Sequence, residues 1–367
     1  MKIVNLSYEA YPQAANPVQW IAGSAFFFGI WETMALQQEV IFFEFTPCPG
    51  RFEHKGIKYI FLNLRRLPLM FPVQLNRKII AERPDVVMIH GIRFPLQVLL
   101  LRLQWGRNAK IVVQDHANHP FRIRLKKAIQ RLADRYTDAY FFSGNELALP
   151  WIAAGLIKDN RKVKEIMEVS SVFNQEDKIK ARVKTGIPDA NIYLWVGHLN
   201  TNKNPLLAVR AFVRFREQEA ENAELYMIFQ TDALLDEIKI FLAGHTVAAR
   251  HIHLVGRIPY ESLQPWFSAA DFIISSSYAE SSGLAICQGM SCGCIPILTD
   301  IPSFRFMIGG RCGLLYEPGN EDALVAALQQ SSKMDKADAL QKTLQQYREH
   351  LSFEAIAGHI YAVLSAL

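Results

Sequence analysis

Apolar runs recur along the front of the chain at MKIVNLSY (1–8), EVIFFEF (39–45), IKYIFLNL (57–64), DVVMIHG (85–91), AKIVVQDH (109–116) and DAYFFSG (138–144), with helical patterns between most of them. Strands that are apolar throughout and alternate with helices predict a parallel sheet covered on both faces. A charged, turn-prone stretch follows, NQEDKIKARVKTGIPDAN (174–191), and then a second series: IYLWVGH (192–198), AELYMIFQ (223–230), HIHLVGR (251–257), DFIISSS (271–277) and CIPILTD (294–300). This predicts a second parallel sheet, and so two similar α/β domains, 1–180 and 181–350. The closing FEAIAGHIYAVLSAL (353–367) reads as a helix, and 351–367 is expected to pack back on the first domain.

A length of 367 residues fits two domains of ordinary size. The longest apolar run, WIAGSAFFFGIW (20–31), is shorter than the roughly 20 residues that span a bilayer, and it is expected to form a buried helix. The N-terminus lacks the basic and apolar regions of a secretory signal, which makes the cytoplasm the expected location. Five cysteines, Cys48, Cys287, Cys292, Cys294 and Cys312, match no zinc or redox spacing and are expected to be reduced core residues. No ligand set for a metal is evident.

The net charge of +5 is uneven: residues 1–180 hold 25 Lys+Arg against 16 Asp+Glu, and residues 181–367 hold 15 against 19. A front half at +9 suggests an anionic partner. In FRIRLKKAIQRLADRY (121–136), Leu125, Ile129, Leu132 and Tyr136 recur at helical spacing beside several cations. This is the expected place for contact with a membrane surface, if there is one. No recognised nucleic-acid motif accompanies the charge.

Candidate chemistry gathers at strand ends, where open α/β sheets bind ligands. After DFIISSS, the segment YAESSG forms a turn and LAICQGMSC a short helix that stops at Gly293. Ser282, Gly283 and Leu284 lie at the helix start, where unpaired N–H groups and the helix dipole favour an anion such as a diphosphate. Glu280 precedes the helix and Gln288 lies about a turn and a half along it, where a diol such as a ribose could be gripped. In WVGHLNTNKNPLLAVRAF (195–212) a strand ends at Gly197, His198 follows, and Lys203 can reach a phosphate as a mobile charge. A capped core helix and an ordinary surface lysine account for the same spacings.

These two segments, with HIHLVGRIPYESLQPWFSAADFIISSSYAESSGLAICQGMSCGCIPILTD and GRCGLLYEPGNEDALVAAL, resemble the retaining glycosyltransferases of family 4, also called group 1. The resemblance implies the GT-B fold, two Rossmann-like parallel-sheet domains facing a central cleft. It implies transfer of a sugar from a nucleotide-diphosphate donor to an acceptor hydroxyl, with anomeric retention and with neither metal nor cofactor. Of that family's two glutamates, the first matches Glu280, near the donor sugar, and the second is replaced by Gln288 at the ribose. His198 stands where the family usually has an arginine, and Lys203 matches the lysine that neutralises the diphosphate.

The resemblance also gives His116 a place near the donor sugar, with Asp115 and His119 beside it, and gives Arg257 a place either compensating for His198 or lining the base. In YEAYPQAANPVQW the usual paired glycines are absent, and Tyr8, Tyr11 and Trp20 either stack on a sugar or pack internally. His116, Lys203 and Glu280 are therefore the expected catalytic residues. Gly197, His198, Lys203, Arg257, Glu280, Ser282, Gly283, Leu284 and Gln288 are expected to hold the donor. The implied acceptor is a saccharide or lipid-linked hydroxyl in cell-envelope polysaccharide or glycolipid synthesis. The open alternatives are a non-catalytic sugar-nucleotide binder and a GT-B epimerase or phosphorylase.

Overall fold

The computed structural model describes residues 1–9, 16–63, 70–116, 118–218 and 222–367, and Tyr11 lies outside them. The chain divides into two compact units, Met1–Glu168 with Phe353–Leu367, and Val169–Ser352. The division falls at 168/169, where the sequence suggested 180/181. Residues 169–176 go with the second unit because their side chains bond there: Ser170 Oγ donates to the Leu351 carbonyl at 2.5 Å, and Ser291 Oγ donates to Ser171 Oγ at 2.8 Å.

The first unit holds β1 (Lys2–Leu6), β2 (Glu39–Phe45), β3 (Gly50–His54), β4 (Ile57–Leu62), β5 (Val86–His90), β6 (Lys110–Gln114), β7 (Ala139–Phe142) and β8 (Val163–Glu165), in the order β3-β4-β2-β1-β5-β6-β7-β8. All neighbours pair in parallel except β3 and β4, an antiparallel hairpin. The expected parallel sheet gains one antiparallel edge strand that the sequence did not reveal: GRFEH is polar and exposed, so it carries no apolar run. The run 20–31 is likewise two helices, Pro17–Gly23 and Ala25–Ala35, divided at Ser24. Asn16 caps the first by accepting from the amides of Val18 and Gln19, and Pro17 supplies a preset first turn. The closing helix Phe353–Ser365 belongs to this unit, and its Phe353 ring lies where a Cβ on Gly29 would stand, 2.5 Å away.

Beneath these helices lies an unusual core carboxyl. Glu44 on β2 is 5% exposed, its Oε2 has no hydrogen-bond partner, and burial pushes it from 4.5 up to about 8. Between those values the unfolded chain is ionised at this position while the folded chain keeps its proton. Stability is therefore lost as pH rises across that window. Glu44→Gln is expected to melt like the parent near pH 5 and to be more stable by up to about 4 kcal/mol near pH 7.5, three pH units above 4.5 at about 1.4 kcal/mol per unit. Thermal unfolding at the two pH values checks this.

The second unit holds β9 (Asn191–Gly197), β10 (Ala223–Phe229), β11 (Ile252–Gly256), β12 (Phe272–Ser275), β13 (Ile295–Thr299) and β14 (Leu314–Tyr316), in the order β11-β10-β9-β12-β13-β14, with every neighbouring pair parallel. Within the unit this is the doubly wound order 3-2-1-4-5-6. Its strand order reverses between β9 and β12, and a ligand crevice is expected beyond their carboxyl ends. Trp195, Phe212, Phe272 and Ile274 anchor the core below that point. Among the described residues no helix is long and apolar enough to cross a membrane. None of the five cysteines is in a disulfide, and Cys48 is exposed, against the expectation that all would be core residues.

Candidate functional site

Residues leaving β9 and β12 meet at the switch point. The loop HLNTNKN (198–204) is stitched to the segment after β12: the Tyr278 amide donates to the Asn202 carbonyl at 2.8 Å, and the Asn202 side chain donates to the Ala279 carbonyl at 2.9 Å. From the sheet side, Trp195 Nε1 donates to Ser276 Oγ at 3.2 Å, and that hydroxyl donates to the Lys203 carbonyl at 2.8 Å. Asn200 Oδ1 accepts from the Lys203 amide at 2.9 Å. Asn204 closes the turn at φ +44°, a left-handed conformation that asparagine tolerates better than most residues.

The outcome is that Lys203 Nζ and Glu280 Oε1, 77 residues apart, form an ion pair whose side chains are only 25% and 12% exposed. The sequence suggests Lys203 as a mobile charge for phosphate; in the fold Glu280 is its ion-pair partner. Beside the pair lies a small cavity of about 20 Å³, lined by Trp195, Lys203, Ser275, Glu280, Gly283 and Phe304 among others. That is room for about one water molecule.

Gly283 opens the helix Leu284–Ser291 in the left-handed conformation, at φ +57°, and no side chain caps this helix. Its first N–H groups therefore keep their donor capacity beside the cavity. A Cβ at Gly283 would come within 2.6 Å of the Phe304 ring, so glycine is required by both space and backbone angle. Ser282 is buried and Leu284 half-buried. Gln288 is 3% exposed, and its amide Nε2 donates to Tyr260 Oη at 2.9 Å, a partner the sequence did not suggest.

The other expected donor contacts are more peripheral. Gly197 ends β9, where an added Cβ would crowd the Trp195 indole at 3.1 Å. His198 follows it, exposed. Arg257 is exposed just past β11, the edge strand, with β10 between it and β9. Among the described residues no group of three or more His, Cys, Asp or Glu is arranged to hold a metal ion.

His116 lies in the first unit, just past β6, and its Nδ1 is bonded to Glu168. Burial pushes the imidazole down, but the Glu168 hydrogen bond and charge, with the charge of Asp115, outweigh it and leave His116 above its ordinary value. Asp115 is 3% exposed and pushed by burial up to about 6, against the pull of the Asn118 hydrogen bonds. The His116 ring stacks on His90 with centroids 6.0 Å apart. His90 is buried, its Nε2 lies 3.0 Å from Asn5 Oδ1, and burial lowers it to about 3. His119 is exposed. Tyr8 is 3% exposed and packs on Phe94, and Trp20 packs on Phe28 and Phe61, so both rings have internal neighbours.

Glu168, Tyr260, Ser276 and the loop asparagines are the residues that sequence reasoning missed. The polar cluster NTNKN and the run SSS offered a signal for the last two, since short polar side chains favour local backbone bonds. Glu168 and Tyr260 offered none.

Residues 177–349 match the sequence family described as "Glycosyl transferases group 1". Over 167 residues the chain is 28% identical to D-inositol 3-phosphate glycosyltransferase 2 of Catenulispora acidiphila, a match covering 42% of this chain and 39% of that relative. Among solved structures, a glycosyltransferase from Rickettsia africae superposes with a TM-score of 0.74 at 16% identity, covering 100% of this chain and 98% of that one. The Anabaena protein HepE, solved in complex with UDP, superposes with a TM-score of 0.70 at 14% identity, covering 100% of both chains.

Proposed function

We propose, from the match of residues 177–349 to glycosyl transferases group 1 and the GT-B fold of the chain, that it transfers a sugar from a nucleotide-diphosphate donor to an acceptor hydroxyl, with anomeric retention and without a metal. The observation that carries this reading is the meeting of Lys203, Glu280 and the uncapped helix start at the switch point of the second sheet.

As the bond from the anomeric carbon to the β-phosphate oxygen breaks, negative charge grows on the diphosphate. Lys203 and the N–H groups at the start of the helix receive it in a setting fixed beforehand, which lowers the barrier. For Lys203 to do so it must leave Glu280. The carboxylate thus released is free to accept hydrogen bonds from the sugar hydroxyls, so donor binding converts an internal pair into two ligand contacts. The acceptor oxygen bonds to the anomeric carbon on the face that the diphosphate leaves, and its proton passes to a phosphate oxygen. His116, held by Glu168, positions the sugar in this reading.

A thermal-shift panel of UDP, GDP, ADP and their sugar conjugates tests the proposal. One nucleotide series should raise the melting temperature, and its sugar conjugate should yield a retained glycoside or slow donor hydrolysis in the presence of EDTA. Stabilisation with neither product favours the second reading, a non-catalytic sugar-nucleotide binder, which the Gln288–Tyr260 bond motivates.

The proposal extends to a lipid-linked or saccharide acceptor of the cell envelope met at a membrane surface. Its support is the helix Arg124–Asp134, where Ile123, Leu125 and Leu132 are 59, 68 and 43% exposed beside Arg122, Arg124, Lys126, Lys127 and Arg131. Cations around exposed leucines suit an anionic lipid interface. Co-sedimentation with phosphatidylglycerol vesicles, but not with phosphatidylcholine vesicles, is expected, with loss in Leu125→Ser/Leu132→Ser. Equal recovery with both lipids, or with neither, contradicts it.

A further inference from the structure

The imidazole of His116 lies in the first unit, and four groups of that unit bear on it. Glu168, just past β8 and 6% exposed, bonds to Nδ1, and Asp115 precedes His116 in the chain. His90, at the end of β5, stacks on the ring at 6.0 Å with an interplanar angle of 20°, and Arg93, three residues past His90, adds a positive charge. The His116 side chain is nonetheless 39% exposed, and among the described residues nothing bonds to Nε2. A carboxylate only accepts, so the hydrogen on Nδ1 stays with Glu168 in both charge states of the ring, and Nε2 is the atom that gains or loses a proton. Burial opposes charge on His116, but the Glu168 bond and charge, helped by Asp115, outweigh both burial and Arg93. His90 does not share that charge, because burial lowers it to about 3. Protonated, Nε2 is a charge-assisted donor; deprotonated, it is only an acceptor.

Resting on the reading that His116 positions the donor sugar, we infer that Glu168 is the positioning residue that sets the sense of this contact: it fixes the ring through Nδ1 and presents Nε2–H as a hydrogen-bond donor to an oxygen of the sugar. A neutral partner at 168 could hold the ring in the same orientation but would not keep Nε2 protonated. The sign of the pH dependence follows. A histidine raised by its partner is charged below its midpoint and neutral above it, so the donated bond is present at the acid side and lost as pH rises through the midpoint.

The test compares wild type, Glu168→Gln and Glu168→Asp as full chains, with melting temperatures as a control for folding. Glutamine still accepts from Nδ1 but carries no charge, and aspartate keeps the charge at a greater distance. His116 is titrated by NMR of the histidine rings, its signal assigned by its absence in His116→Gln. Dissociation constants are measured over the same pH range for whichever of UDP-glucose, GDP-mannose or ADP-glucose binds, and for its bare diphosphate. Wild type should titrate above the ordinary 6.5, and Glu168→Gln should titrate lower by at least about one pH unit, the usual effect of a nearby opposite charge. Between the two midpoints the sugar conjugate should bind wild type about 3- to 10-fold more tightly than Glu168→Gln, the difference between a charged and a neutral hydrogen bond. The two proteins should converge at more acid pH, and the bare diphosphate should bind both alike. Comparing two proteins with one ligand at one pH cancels the ionisation of the ligand itself. Glu168→Asp should fall between them in both readings. An unchanged midpoint in Glu168→Gln, a lowered midpoint with unchanged conjugate affinity, or an equal loss for conjugate and bare diphosphate makes Glu168 a structural brace and overturns the inference, while the reading of the site stands. If wild type binds no sugar nucleotide at all, that reading falls and takes the inference with it.

Discussion

Lys203→Ala is expected to lower the turnover number at saturating donor by about 100- to 1000-fold, the usual loss when one preset stabiliser of a developing anion is removed. The loss should fall on turnover more than on the Michaelis constant, because the charge that Lys203 meets grows as the glycosidic bond breaks. Melting should move little. The pair is partly exposed, at 25% and 12%, so breaking it forfeits a modest ion pair rather than stranding a deeply buried charge. Steady-state kinetics with a melting curve for the same preparation separate the two effects. Glu280→Gln provides the contrast, because it frees Lys203 from its counter-charge and leaves the sugar a neutral carboxamide with one accepting oxygen in place of a carboxylate. Its donor affinity should hold or rise even as transfer falls, and a fall in affinity for the bare nucleotide would mean that the pair acts as a unit on the diphosphate.

Gly283→Ala is expected to cost stability and donor binding together. A non-glycine residue at φ +57° carries roughly 1–2 kcal/mol of backbone strain, and the new Cβ lands 2.6 Å from the Phe304 ring, which adds about 1–3 kcal/mol of overpacking. For a domain of this size the sum corresponds to a drop of roughly 5–15 °C in melting temperature. Adding Phe304→Leu should relieve the crowding but not the strain. Recovery should therefore be partial, and full recovery would show that the left-handed start of the helix is not needed. Because the strained residue begins the helix whose N–H groups face the cavity, the nucleotide shift should shrink in both variants.

The chain was most legible where burial is uniform. β1, β2, β5, β12 and β13 are buried nearly throughout, so their sequences are largely apolar runs, and their alternation with helices is enough to predict a doubly wound sheet. β3 escaped notice because an exposed edge hairpin obeys no such rule, and β8 and β14 because three residues are too few to form a pattern. The break at Ser24 was invisible for the opposite reason: the residues on both sides of it are apolar, and nothing in the run marks a stop.

The site divides in the same way. Gly283 before a short helix, and a lysine in a polar turn after a strand, are local signals, and the fold places them together because both strands flank the switch point. What each side chain touches is not local. Glu280 on Lys203, Tyr260 on Gln288 and Glu168 on His116 are pairings across 77, 28 and 52 residues that only the folded sheets bring about. Hence residue types were readable while the partners these side chains take were not.

Isothermal titration of the full chain with UDP, GDP and ADP, each against its monophosphate, tests the central claim most directly. One diphosphate should bind at least about 10-fold more tightly than its monophosphate, the worth of one charge-assisted contact, and Lys203→Ala should erase that advantage. Equal binding of the two phosphates, or an advantage that survives the loss of Lys203, would contradict the account.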